Sequence, residues 1–213
     1  MKTVLCYGDS LTWGMNAATL ARHAHADLWP TVLGARLGAG VHVVNASLGG
    51  RTTAFDDHTA AADRNGARIL PTVLGMFDPI DLVIFMLGTN DLKTSLNGSA
   101  VAVAQGMKRL IEITRTFPYS AAAPIPKVLV VAPPPVLQLG PTDGFPLLSP
   151  RTGEGSRLPA LYAGLARSTD CAFFDAGTVA SAEGGTDGVH FDAANTRAIG
   201  EGLAPLVTTI LGL

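Results

Sequence analysis

Apolar residues fall along this chain in short, unbroken runs separated by longer mixed stretches. Five runs read as strands: residues 3–7, 41–45, 81–87, 127–132 and 172–175. Several are apolar at nearly every position instead of alternate ones, the pattern of strands covered by helices on both faces. The stretches between carry helical spacing. Residues 28–37 fit a first helix, with Pro30 in its opening turn, where a missing N–H costs little. Val103, Met107, Leu110, Ile111 and Phe117 share one face of a helix starting near Ala100. Residues 158–166 and 194–211 supply two more, with Pro159 and Pro205 blurring their boundaries. The spacers are long enough for right-handed crossovers. The alternation therefore predicts a three-layer α/β/α sandwich around a five-stranded parallel sheet.

At 213 residues, with no repeat or low-complexity linker, one domain spanning 1–213 is expected. One irregular stretch, residues 133–155, is rich in Pro and Gly yet carries Val136, Leu137, Phe145, Leu147 and Leu148. A loop this long reads equally as a functional or interface segment and as a packed surface Ω-loop. Hydrophobic residues make up 47% and charged residues only 15% of the chain. With a mean hydropathy of +0.32, that balance suggests surface buried against further copies, so a homo-oligomer is expected. A net charge of −2 without a basic cluster argues against nucleic acid or an anionic membrane as partner. Apolar runs such as 82–87 are far too short to cross a bilayer. The chain opens directly on its first strand, so no signal peptide and a cytoplasmic location are expected. Cys6 and Cys171 lie in apolar sequence and read as buried, reduced thiols. The sequons at Asn45 and Asn97 carry little meaning without secretion.

Chemistry-bearing residues gather just after the strands, where an open parallel sheet collects its ligands. After the first comes Gly8-Asp9-Ser10-Leu11-Thr12-Trp13-Gly14, which presents Ser10 at a strand tip. A serine hydroxyl needs a neighbouring base to become a nucleophile. After the second strand, Gly49-Gly50-Arg51-Thr52-Thr53 offers a backbone amide unshielded by Cβ. After the third, Gly88-Thr89-Asn90-Asp91 offers the Asn90 side-chain amide. With the Ser10 and Gly50 amides it makes a candidate oxyanion hole. After the fifth comes Asp187-Gly188-Val189-His190, where a carboxylate three residues before the imidazole can bond Nδ1 and leave Nε2 for the Ser10 proton. The other four histidines, His23, His25, His42 and His58, have no comparable partner in sequence. Asp9, next to Ser10, reads as a structural acceptor for its own turn. A metal reading through Asp9, Asp187, His190 and Asp192 lacks a further ligand cluster, and neither metal nor organic cofactor is expected. Leu11, Trp13, Leu92 and Phe191 flank these residues and are the candidate substrate-pocket walls, with core packing as the alternative for each.

These blocks resemble those of the SGNH (GDSL-type) hydrolases, which hold Ser, Gly, Asn and His in this order. The longer matches at 8–14, 51–53 and 187–191 resemble the bacterial arylesterase/acyltransferase branch. The resemblance implies a flavodoxin-like parallel sandwich, a Ser10–His190–Asp187 triad, and an oxyanion hole from Ser10, Gly50 and Asn90. It implies a small acetyl or aryl ester as substrate, and acyl transfer to alcohols or hydrogen peroxide in some members. It also implies homo-oligomers, and strand positions that hold Cys6 and Cys171 too far apart to bridge. Acetylated sugars, thioesters and lysophospholipids are the alternative substrates. A non-catalytic carbohydrate-binding domain is the alternative of a different class, against which the intact set of Ser10, Asn90, Asp187 and His190 speaks.

Overall fold

The computed structural model describes residues 1–96, 98–137 and 152–213. Asn97 of the second sequon and the Phe145, Leu147 and Leu148 part of the irregular stretch lie outside the described residues. Five parallel strands form one sheet: β1 (Lys2–Gly8), β2 (Val41–Asn45), β3 (Leu82–Met86), β4 (Lys127–Ala132) and β5 (Ala172–Asp175). Their order is β2-β1-β3-β4-β5, with Val4 beside both Val43 and Leu82. The strand expectations hold to within a residue or two. Side chains alternate between faces although the sequence does not alternate in polarity. Leu5, Tyr7, Val83, Phe85 and Val130 enter one apolar cluster, while Val4, Cys6, Ile84, Met86 and Val131 enter the other.

Helices cover both faces, as the unbroken apolar strands require. They are α1 (Ser10–Trp13), α2 (Trp29–Leu37), α3 (Gly66–Phe77), α4 (Ala100–Thr116), α5 (Thr152–Gly155), α6 (Leu158–Ser168) and α7 (Ala193–Leu211). On one face α4 packs between α3 and α6; on the other α2 lies against α7. The α2–α7 approach is close at Gly200, where a Cβ would fall 2.5 Å from the Trp29 carbonyl oxygen. Ser99 caps α4 by accepting from the Ala102 N–H, and Val103, Met107, Leu110 and Ile111 are buried on its inner face. Each such side chain contributes roughly 1.5–3 kcal/mol by leaving water.

Helix α3 is not foreseen by the sequence pattern. Pro71 sits inside it, removing a backbone donor and arguing locally against a helix. Two features override that cost: Asn65 caps its start, and Leu70, Val73 and Leu74 bury one stripe. Cys6 is buried on β1. Cys171 is only half-buried beside β5, its sulfur within 3.5 Å of an Arg115 nitrogen, so the expectation of wholly apolar surroundings is corrected there. Both thiols are free, and three sheet positions separate their strands. Among the described residues no helix is long and apolar enough to cross a membrane.

Candidate active site

Ser10 stands on the sharp turn that ends β1. Asp9 closes that turn as the N-cap of α1, its Oδ1 accepting from the Leu11 N–H at 2.9 Å. This is the structural role expected of Asp9. One turn on, Gly14 adopts φ +90° and its N–H donates back to the Ser10 carbonyl, ending the helix. Ser10 is thereby held at the carboxyl edge of the sheet with only its hydroxyl side open, and it is 7% exposed.

The chain brings His190 to it from 180 residues away: Ser10 Oγ and His190 Nε2 are 2.9 Å apart. His190 Nδ1 lies 2.6 Å from Asp187 Oδ2. The other carboxylate oxygen, Asp187 Oδ1, accepts from the backbone N–H groups of Val189 at 2.9 Å and His190 at 2.8 Å. Burial pushes the Asp187 carboxyl up, but the bonds from the His190 ring and these two N–H groups outweigh it and hold it below the usual range. An ionised carboxylate can only accept, so Nδ1 carries the proton and Nε2 is free to accept from Ser10.

Two loops complete the rim. Gly50 has φ +80°, a conformation glycine adopts without strain, and a Cβ there would meet Arg64 Nε at 3.1 Å. Asn90 reaches the same space, but its amide is not idle. Its Nδ2 donates to Asp9 Oδ2 at 3.1 Å and to the Arg51 carbonyl at 3.2 Å. The amide that the sequence offers as an oxyanion donor is here engaged in two long bonds.

A cavity of 250 Å³ opens beside the hydroxyl. Ser10, Gly49, Gly50, Asn90 and His190 all border it. Its remaining walls are Met15, Leu20 and Val189, which are apolar, with Thr89 and Lys93. The expected walls are not there. Leu11, Leu92 and Phe191 are 3%, 2% and 3% exposed and belong to the core. Trp13 is half-buried and covered by the Arg22 guanidinium, 5.3 Å from its ring centre. Sequence adjacency to a reactive residue does not set side-chain direction, so core packing takes all but Trp13. A larger cavity of 440 Å³ between α2 and β2 is bordered by Arg22, His25 and Val43, and by none of these reactive groups.

Beneath the rim lies a charged network that sequence reasoning missed. Arg51 is buried, donating to the carbonyls of Gly8 at 2.9 Å and Ala46 at 2.6 Å and lying 3.9 Å from the Tyr7 ring centre. Burial lowers its guanidinium below the ordinary value, against the pull of Tyr7 and Asp9. Asp91 accepts from the Thr53 N–H and hydroxyl, tying the Asn90 loop to the Gly50 loop. Burial raises both Asp9 and Asp91 to about 6. Lys93 reaches across to Asp57 at 2.7 Å, and bonds from Lys93 and Thr59 hold Asp57 down at about 2. The sequence signal was the placement of Arg51 next to Gly50 and of Asp91 next to Asn90; Asp57 and Lys93 carried none.

His23, unpartnered in sequence, has its Nε2 3.0 Å from the Phe191 carbonyl oxygen. Asp192, the fourth member of the metal reading, caps α7 by accepting from Asn195 N–H at 2.8 Å. Among the described residues no three His, Cys, Asp or Glu side chains are grouped as a metal ion would need.

The profile of the GDSL-like lipase/acylhydrolase family matches residues 6–198. The chain belongs to that family. Among solved structures, this GDSL hydrolase is similar to a carbohydrate acetylesterase family member from Sinorhizobium meliloti. The two are 47% identical over the full length of both chains, with a TM-score of 0.96. A proposed arylesterase from Agrobacterium tumefaciens str. C58 is 50% identical over 99% of this chain and 100% of that one, with a TM-score of 0.93. The native aryl esterase of M. smegmatis is 39% identical over the same shares, with a TM-score of 0.91. No curated protein sequence matches. The family and these likenesses make the chain a carboxylic ester hydrolase with the sandwich fold that its strand pattern predicted.

Proposed function

We propose that this GDSL hydrolase cleaves small acyl esters through a Ser10–His190–Asp187 triad and a covalent acyl-enzyme. The observation that carries the reading is the continuous pair of contacts, 2.9 Å from Ser10 Oγ to His190 Nε2 and 2.6 Å from His190 Nδ1 to Asp187 Oδ2. Ser10 Oγ attacks the ester carbonyl carbon as Nε2 takes its proton, and Asp187 stabilises the imidazolium. The carbonyl oxygen becomes an oxyanion held by the Ser10 and Gly50 N–H groups and by Asn90 Nδ2. Asn90 turns to it by giving up the longer of its two bonds, the one to the Arg51 carbonyl. His190 returns the proton to the leaving alkoxide. Water then attacks the acyl carbon with His190 again as base, releasing the acid and restoring Ser10. An alcohol in place of water gives a new ester, and hydrogen peroxide gives a peracid.

The cavity of 250 Å³ with Met15, Leu20 and Val189 as walls favours acetyl and similarly short acyl groups joined to an apolar alcohol, such as an aryl ester. The name of the S. meliloti relative supports a second substrate reading, an acetylated sugar. A panel of aryl acetates and acetylated sugars separates the two. The mechanism is tested by an active-site phosphonate, which should label Ser10 stoichiometrically. Ser10→Ala should lose both labelling and turnover; full esterase activity in that variant would refute the triad. We further propose that the protein works as a homo-oligomer, on the strength of its apolar composition and of exposed Met76 and Ile125.

A further inference from the structure

The rim of the cavity carries a feature that the proposed chemistry does not use. Residues 15–22 form a closed hairpin in which Met15 and Arg22 pair as an antiparallel bridge. Within it, the Asn16 N–H donates to the Ala21 carbonyl at 2.9 Å and the Leu20 N–H to the Asn16 carbonyl at 2.8 Å. Asn16 Oδ1 accepts in turn from the Ala18 N–H at 2.9 Å. Near the tip, Leu20 has φ +57° and is 71% exposed. Both conditions are unfavourable for leucine: its Cβ crowds the backbone in the left-handed region, and a large apolar side chain stands in water. Glycine or asparagine would meet the same backbone demand at lower cost. Strain of this kind persists where the surroundings over-determine the chain, and it gathers at ligand sites. Leu20 borders the Ser10 cavity.

The hairpin's position indicates which half of an ester Leu20 meets. Its base is tied to the histidine segment, for His23 Nε2 lies 3.0 Å from the carbonyl oxygen of Phe191, the residue after His190. His190 must pass its proton to the leaving oxygen, so the alcohol half of a bound ester lies on the histidine side of the scissile bond. We infer that Leu20 is a specificity-determining residue that packs on the apolar body of the alcohol half, and on the body of an acceptor alcohol that replaces it. An aryl alcohol drives Leu20 out of water as the ester binds; methanol or a sugar hydroxyl does not. The inference rests on the Ser10–His190 reading of the site.

The test uses Leu20→Gly and Leu20→Asn, which suit the left-handed backbone and remove the apolar side chain. Phenyl acetate and methyl acetate share an acyl group, while phenyl acetate and phenyl butyrate share an alcohol. In both variants kcat/KM on phenyl acetate should fall roughly three- to tenfold, the scale of a partly buried aliphatic contact, with methyl acetate within about twofold of wild type. The acetate-to-butyrate ratio should not move. The Tm of Leu20→Asn should hold or rise, because the strain is relieved; a leucine kept for packing would lower it on removal. Equal losses on both acetates, a shift in acyl preference alone, or unchanged selectivity would each overturn the inference. Failure of the underlying triad reads differently: Ser10→Ala would then retain turnover on both acetates, whatever Leu20 does.

Discussion

Asp91 offers a test of the buried charge network whose size follows from its surroundings. Its carboxylate accepts from the Thr53 N–H at 2.9 and 3.1 Å and from the Thr53 hydroxyl, and it is 0% exposed. Burial raises it from 3.8 to about 6, against the opposing Thr53 bonds. Between those two values the folded protein holds a proton that the unfolded chain has released. Stability therefore falls as pH rises through this window and levels off above it. At ~1.36 kcal/mol per pH unit, ionised Asp91 costs the folded state on the order of 3 kcal/mol at neutral pH. Asp91→Asn removes the charge and keeps an acceptor for the Thr53 N–H. Relative to the protonated carboxyl, the neutral amide alters the Thr53 bonds by one fixed amount, so the pH-dependent part of the difference is the ionisation cost of Asp91 alone. The variant should thus gain on wild type by roughly 2 kcal/mol between pH 4 and pH 7, the rest of the cost having set in below pH 4. Asp9, also raised to about 6, titrates in the same direction in both proteins and largely cancels in the difference. Urea unfolding of both at pH 4, 5, 6 and 7.5, with m unchanged, measures the gap. A gap that stays constant or narrows with rising pH would refute the reasoning. Asp91→Ala orphans both Thr53 donors and should be destabilised at every pH.

Asp187→Asn should fold normally yet lose roughly 10⁴-fold in kcat, because an amide no longer fixes the His190 tautomer; a stopped esterase progress curve with an intact melt checks it. Asn90→Ala should lower kcat roughly 10²–10³-fold with a much smaller change in KM, and a wild-type kcat would leave Asn90 a structural role through Asp9 and Arg51. Sedimentation at micromolar concentration should show a species larger than the 22.0 kDa monomer, and a clean monomer would end the oligomer proposal. An added primary alcohol should capture the acyl group beyond its molar share, read as the ester-to-acid ratio from one activated acetate. A ratio that tracks the bulk alcohol-to-water ratio would make the enzyme a plain hydrolase.

The candidate site residues were legible because each motif depends on local backbone alone. Gly8-Asp9-Ser10 can turn in few ways after an apolar strand, and Asp187 lies within one turn of His190 whatever the rest of the chain does. Parallel topology then carries the ends of β1, β2 and β3 to one edge, so three distant loops converge without any pairwise signal. Helix α3 was hidden for the opposite reason: its local signal, Pro71, contradicts a tertiary stripe of Leu70, Val73 and Leu74 that only the folded core rewards.

The walls of the site show where local reasoning stops. Successive residues of a helical turn point about 100° apart, so Leu11 turns into the core when Ser10 faces the cavity. Leu92 meets the same fate two residues after Asn90, on a tight turn that sends it into the cluster beneath. The surfaces these residues vacate are filled from elsewhere: Met15 and Leu20 from a hairpin whose closure depends on Asn16 and Ala21, and Lys93 from a side chain anchored to Asp57, 36 positions away. Such contacts are set by loop geometry and by pairings that no periodicity records. Reaction class and substrate choice are therefore written in different parts of this chain. The first lies in short blocks at strand ends, where a single sequence suffices; the second lies in the loops that fold over them, and on the proposed reading substitution of Leu20 alters the preferred alcohol while the Ser10, His190 and Asp187 contacts stay in place.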